Sequence, residues 1–341
     1  AAMSAAVLFG ASTPIAKLLL GAVDPWMLAG VFYLGSGTGL GLWRMATIML
    51  GRRAEAGLAR GDLPWLGAAI LCGGVAGPVL LMIGLARVSA GAASLLLTLE
   101  GVATALLAWF LFRENFDRRI FAGMAAIVAG AAVLAWQPGA SLDGVLGPLA
   151  ILGACVAWGL DNNLTRKVSL ADPVQIAMLK GLIAGPTSIV LALALGASPP
   201  GAGVVATAAI VGFLGYGVSL VLFVLALRHL GAARTGAYFS TAPFLGAVFA
   251  VPLLGEQPSA PLLVAGLLMG VGVWLHLTER HFHEHEHEPM IHEHRHVHDA
   301  HHRHRHDASD PVGEPHSHRH AHVRLRHSHA HAPDSHHQHR H

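Results

Sequence analysis

Apolar residues fill the first 278 positions in blocks of about twenty, and only after Thr278 does the chain turn polar throughout. A bilayer core of about 30 Å is crossed by about 20 apolar residues in a helix. The blocks fall at 2–21, 26–49, 63–86, 90–112, 119–136, 145–165, 173–196, 203–227, 232–254 and 260–278, which predicts ten transmembrane helices. Helix-breaking or helix-starting residues separate them: Asp24-Pro25, Asp62-Leu63-Pro64, Gln137-Pro138-Gly139, Asp172-Pro173, Ser198-Pro199-Pro200 and Gln257-Pro258. The expected fold class is an all-α polytopic membrane protein.

Cations follow alternate breaks. Arg44, Arg52, Arg53 and Arg60 flank the second, Arg113, Arg118 and Arg119 the fourth, Arg166 and Lys167 the sixth, Arg228 and Arg234 the eighth; the odd breaks hold Arg87 alone. By the positive-inside rule both termini are expected in the cytoplasm of a multi-pass protein of the cell membrane, the bacterial inner membrane by this pattern.

The body also repeats. Displacing it by 142 residues sets Gly73 on Gly215, Leu85 on Leu227, Ala90 on Ala232 and Glu114 on Glu256. A slightly larger displacement aligns Asp24-Pro25 with Asp172-Pro173, and Phe9-Gly10 and Lys17 with Trp158-Gly159 and Arg166. Each half has five spans, so the two are expected to be inverted repeats, 1–138 and 144–278, followed by a tail at 279–341.

Composition divides body from tail. Of 341 residues 53% are hydrophobic and 12% charged, which argues against a soluble enzyme. The last 63 residues hold 18 of the 42 charged side chains and 23 of the 25 histidines, so the body is poorer still in charge. A net charge of +2 with no base-reading motif excludes nucleic acid as a partner. Cys72 and Cys155 lie far apart in apolar runs, giving neither a disulfide framework nor a CxxC site. No cleavable signal peptide is expected, because Pro14 and Lys17 interrupt the first apolar stretch.

An ionisable group inside a membrane is costly and points to function. Glu100 lies near the middle of the fourth span with small helical neighbours Ala93, Ala103 and Thr104, which would leave room for water or solute. Desolvation penalises its charged form and equips it to exchange a proton; a carboxylate buried against a Lys or a helix terminus is the bland reading. Trp158, Asp161, Asn162 and Thr165 form a stripe at i, i+3, i+4 and i+7 on the sixth span, beside Asn163. An aromatic plate next to an amide and a carboxylate suits a small organic solute with a hydrogen-bonding or cationic group. Lys180, two turns inside the seventh span, could snorkel, or partner Glu100 or a solute carboxylate; Lys17 reads as snorkelling. Of the tyrosines Tyr33, Tyr216 and Tyr238, Tyr216 is the best cavity candidate. Gly35, Gly37, Gly39 and Gly41 lack the strand and Lys of a nucleotide loop and read as helix packing. Ser240-Thr241-Ala242-Pro243 should break the ninth span.

The tail repeats His-x-His at His281, His283, His285 and His287, at His292, His294, His296 and His298, and at His316, His318, His320 and His322, interspersed with glutamates. Such a set suits Zn, Ni, Co or Cu, and a segment of this composition is expected to be disordered.

The pieces Phe9-Gly10-Ala11-Ser12-Thr13-Pro14-Ile15-Ala16-Lys17, its counterpart from Trp158-Gly159, and Ser94-Leu95-Leu96-Leu97-Thr98-Leu99-Glu100 running on to Phe112-Arg113-Glu114 resemble the ten-helix EamA-type members of the drug/metabolite transporter superfamily, over about residues 3–278. The resemblance implies a secondary transporter, not an enzyme, usually an exporter of metabolites or drugs. It implies a central cavity lined mainly by spans 1, 3, 4, 6, 8 and 9, and no cofactor required for transport. The tail departs from most relatives. Glu100, Trp158, Asp161, Asn162, Lys180 and Tyr216 are then the residues expected to bind solute or couple its movement. Lipid and a small-molecule solute are the expected partners, with proton coupling and a homodimer both compatible. A divalent-metal exporter fed by the tail is the alternative, disfavoured because the only body histidines, His229 and His276, sit at helix ends. A membrane-anchored metal buffer would need neither Glu100 nor the repeat.

Overall fold

The computed structural model describes residues 1–50, 57–112, 118–136, 142–169 and 171–278, and in the tail the backbone of 282–287, 290–296, 316–322 and 325–330. Side chains at 108, 111–112, 142–143, 227–234, 236–237 and throughout the tail lie outside the description.

The body is all α. The two Asp-Pro breaks are helix starts: Asp24 accepts from Trp26 N at 2.8 Å and Met27 N at 3.3 Å ahead of α2 (Pro25–Met49), and Asp172 accepts from Val174 N at 2.9 Å and Gln175 N at 3.3 Å ahead of α9 (Pro173–Ala194). A capping side chain contributes about 1 kcal/mol and proline at the first helical position forfeits no hydrogen bond. α2 and α9 then pack backbone to backbone. A Cβ on Gly37 would come within 2.4 Å of Leu182 N, and one on Gly181 within 2.3 Å of Gly37 N. The glycine row in α2 is therefore a packing face, with Gly35 against the Ala209 carbonyl and Gly39 against the Phe213 ring.

Around this pair stand α1 (Ala2–Leu19), α7 (Arg118–Ala135), α8 (Leu142–Val168) and α13 (Ala260–Leu277), with four composite spans. The third is α3 (Leu63–Ala69), a π-helical segment Ile70–Ala76, and α4 (Gly77–Arg87). The eighth is α10 (Ala202–Gly212), a π-helical segment Phe213–Val218, and the start of α11 (Ser219–Phe239). The displacement that aligns the halves carries one π segment onto the other, and neither was expected from the apolar pattern. The fourth span breaks between α5 (Ala90–Leu96) and α6 (Leu99–Phe112), and the ninth between α11 and α12 (Ala242–Leu254). At the second break Tyr238 O accepts from both the Thr241 hydroxyl at 2.7 Å and the Thr241 N–H at 3.2 Å.

The Phe223 and Phe239 ring centroids lie 4.8 Å apart. A straight helix would hold them about 24 Å apart at 1.5 Å per residue, so the chain reverses within α11. Eight described helical stretches are long and apolar enough to cross a membrane. The two further spans expected are α2, 25 residues long but diluted by glycine, threonine and Arg44, and the ninth, whose apolar part α12 has 13 residues after the break.

In the tail, β1 (Phe282–His287) pairs antiparallel with β4 (Leu325–Ala330), and β2 (Met290–His296) with β3 (His316–His322). The side chains of His283, His285, His287, His292, His294, His296, His316, His318, His320 and His322, like all of His281 and His298, lie outside the described residues, and so does the metal site expected there.

Candidate functional site

A cavity opens among α1, α2, α6, α8, the second π segment and α11, with about 530 Å3 of empty space counting the part open to the outside. Its wall is Phe9, Tyr33, Glu100, Trp158, Asp161, Asn162, Gly215, Tyr216, Ser219, Leu220, Phe223 and Phe239. Five of the six expected site residues meet here, and the sixth, Lys180, stands behind Asp161. The lining departs from the expected set of spans in one respect: α2 contributes Tyr33, while the third span reaches the site through its backbone.

Glu100 sits in the first turn of α6, just past the α5–α6 break, where unpaired amides favour a carboxylate. Asn162 Nδ2 donates to Glu100 Oε1 at 2.8 Å and to Thr104 Oγ1 at 3.2 Å. The space expected beside the carboxylate at Ala103 and Thr104 is taken up by α8. A Cβ on Gly159 would lie 2.9 Å from Thr104 N and 3.2 Å from Ala103 Cβ. Open volume lies instead on the aromatic side. Asn163, next in sequence, turns away: its Nδ2 donates within α8 to Gly159 O at 2.8 Å and ties α8 to α6 through Thr104 O at 3.2 Å.

Asp161 is neutralised within its own half. Lys180 Nζ donates to Asp161 Oδ1 at 2.5 Å and to Thr165 Oγ1 at 2.8 Å, and Thr165 Oγ1 donates to the same Asp161 oxygen at 2.8 Å. Lys180, 2% exposed, therefore neither snorkels nor partners Glu100. Among the described residues no cation lies within ion-pair reach of Glu100.

The aromatic wall is continuous. Phe9 meets Trp158 edge-on at 5.9 Å, Tyr216 at 5.7 Å and Phe239 at 5.4 Å, and Tyr216 meets Tyr33 at 5.5 Å. Trp158 and Tyr33 are fixed by one acceptor: Trp158 Nε1 donates to Gly73 O at 3.0 Å and the Tyr33 hydroxyl at 2.7 Å. The chemistry of the first π segment supplies that acceptor. Gly77 N–H bonds one residue further back, to Cys72 O, and Pro78 has no N–H to offer Gly73. A free carbonyl is thus aimed at the cavity wall, and a Cβ on Gly73 would collide with Asp161 Oδ2 at 2.0 Å.

Phe9 was legible as the repeat partner of Trp158. Tyr33, ranked behind Tyr216, also lines the cavity, and Phe223 and Phe239 carry no signal in the sequence, because ring contacts between distant spans leave no local spacing. Tyr238 is 45% exposed and faces away from the cavity wall. Lys17, read as snorkelling, donates instead to Leu85 O at 2.6 Å and Val88 O at 2.7 Å.

A model of the EamA-like transporter family matches residues 1–136 and 145–278. An uncharacterized transporter of Methanothermobacter thermautotrophicus is 28% identical over 287 residues, covering 80% of this chain and 84% of that protein. A crystal structure of a protein at 20% identity superposes with a TM-score of 0.63 over 81% of this chain and 97% of that one, which shows a shared fold.

Proposed function

The chain belongs to the EamA-like transporter family, within the drug/metabolite transporter superfamily, and on that premise we propose that it is a secondary transporter exporting a small, flat organic solute that carries a cationic or hydrogen-bond-donating group. The observation that carries this reading is the inequality of the two carboxylates in the cavity wall. Asp161 has Lys180, whereas Glu100 is held by an amide alone and faces a wall of rings. A ring stack attracts a planar or cationic body, and an uncompensated carboxylate in a low-dielectric cavity favours either a cation or a proton. Exchange of the two at Glu100 would couple export to a proton gradient across the bilayer. With both termini cytoplasmic, the lining residues Asp161, Phe223 and Phe239 lie toward the cytoplasmic ends of their spans, the side from which an exporter loads.

The test is flux in reconstituted vesicles under an imposed pH gradient, with aromatic amines, aromatic amino acids, Zn and Ni offered separately. Gradient-driven movement of an aromatic amine or amino acid supports the reading; movement of metal alone overturns it.

The histidine tail is proposed as a divalent-metal buffer outside the transport path, since it follows a body that already contains the whole cavity. Removing residues 281–341 is expected to abolish Zn and Ni binding by calorimetry while leaving organic flux intact. Loss of organic flux in that variant at low metal would place the tail within the path.

A further inference from the structure

The α4–α5 turn, residues Arg87–Ser89, is gripped from both sides by charged residues of two other spans. Lys17, at the end of α1, donates to Leu85 O at 2.6 Å and Val88 O at 2.7 Å, carbonyls that the C-terminus of α4 leaves open. Glu256, just past α12, accepts from Ala90 N at 2.6 Å and Gly91 N at 2.9 Å, the first amides of α5. Each charge has the sign its helix end prefers, and all four hydrogen bonds are charge-assisted.

The grip lies at the end of α8 remote from the cavity residues of that helix. Gly147, near the start of α8, abuts Val88 and Arg87, whereas the cavity residues Asp161 and Asn162 lie about 21 Å further along that helix. Beneath the turn α1, α5 and α12 meet with no space between them. A Cβ on Gly246 would lie 2.6 Å from Ser94 Oγ and 3.0 Å from Gly10 O. The repeat sets Arg166 on Lys17 and Glu114 on Glu256, so a cation and a carboxylate recur at the corresponding positions.

We propose that Lys17 and Glu256 form a latch that holds the α4–α5 turn against α1 and α12, closing this face of the protein, and that the latch opens when the cavity is exposed to this side. A cap alone would need one side chain on one helix end. Here opposite charges from the first and ninth spans meet on a single turn, so separating those spans from the fourth breaks all four bonds together. The proposal rests on the transport reading for its purpose, but its test needs no solute.

In the full chain with Cys72→Ala and Cys155→Ala, Leu220→Cys places a thiol in the cavity wall. A membrane-impermeant maleimide is applied to intact and to inverted vesicles. With the latch intact, labelling from the α4–α5 face should be slow. Glu256→Gln, Lys17→Met or both should raise it at least about tenfold, the size expected from losing even one charge-assisted hydrogen bond, while Lys17→Arg should keep the slow rate. Labelling from the α4–α5 face that stays at the parental rate in Glu256→Gln and Lys17→Met, in protein that remains monodisperse, overturns the latch. Should either variant fail to fold, Glu256→Asp is read instead, and labelling that the shortened carboxylate leaves at the parental rate counts against the latch. Accelerated labelling in a protein that moves no solute would sustain the latch and remove the transport reading; normal flux with unaltered labelling would do the reverse.

Discussion

The two halves of the body share a frame but divide the cavity unequally. Both carry an Asp-Pro helix start, a π segment in the corresponding span and a broken helix in the next. Where the first half has Phe9 and Ser12, the second has Trp158 and Asp161; where the first has Glu100, the second has Ala242. The second half also neutralises its own carboxylate, since Asp161, Thr165 and Lys180 all belong to it, while Glu100 reaches across the seam to Asn162. Even the π segments differ in their consequences. Pro78 follows the first and frees Gly73 O, whereas the corresponding Leu220 has an N–H to donate. On the transport reading proposed above, matched backbone supports two related conformations and the unmatched side chains select the solute.

The strongest way to break this comparison is to unbalance the second half. Lys180→Met strands a buried carboxylate, and the expected loss is about 3–5 kcal/mol of stability, read as a large fall in melting temperature in detergent. Pairing it with Asp161→Asn should recover most of that loss, because no charge is then left unpaired. A single variant as stable as wild type would mean that Asp161 is not ionised opposite Lys180.

The wall that the halves build together is tested more gently. Trp158→Ala is expected to weaken the apparent affinity for an aromatic solute by about 0.5–1.5 kcal/mol beyond lost contact area, a larger effect than on expression. Pro78→Ala should act in the same direction but less, because its new N–H competes with Trp158 and Tyr33 for Gly73 O. Titration of solute binding in the two variants checks the order, and equal affinities across all three proteins would show that the ring is not held for the solute.

Much of this asymmetry was legible in the residues themselves. Glu100 stood out because a lone carboxylate in the middle of an apolar span has few bland explanations, and the Trp158, Asp161, Asn162 stripe because helical spacing puts such residues on one side. The partner of Lys180 was not legible. Residues 161 and 180 lie on neighbouring helices, and their meeting depends on how α8 and α9 cross, which the glycine contacts of α2 and α9 help to fix. The π segments were hidden for a related reason: Cys72-Gly73-Gly74 and Gly215-Tyr216-Gly217 look like ordinary small-residue packing until the hydrogen-bond pattern is seen. Glu256 announced itself as a repeat partner of Glu114, yet nothing local to it indicated that its acceptors would be the amides of Ala90 and Gly91.

The inequality of the two carboxylates is tested most directly by measuring pH-gradient-driven flux of an aromatic amine in vesicles containing wild type, Glu100→Gln, or the double variant Asp161→Asn with Lys180→Met. Glu100→Gln keeps size and hydrogen bonding but removes the charge, so it should insert normally and lose the response to the gradient, whereas the double variant should keep that response. A Glu100→Gln protein with wild-type gradient response, beside a double variant that has lost it, would move the coupling to Asp161 and contradict the account.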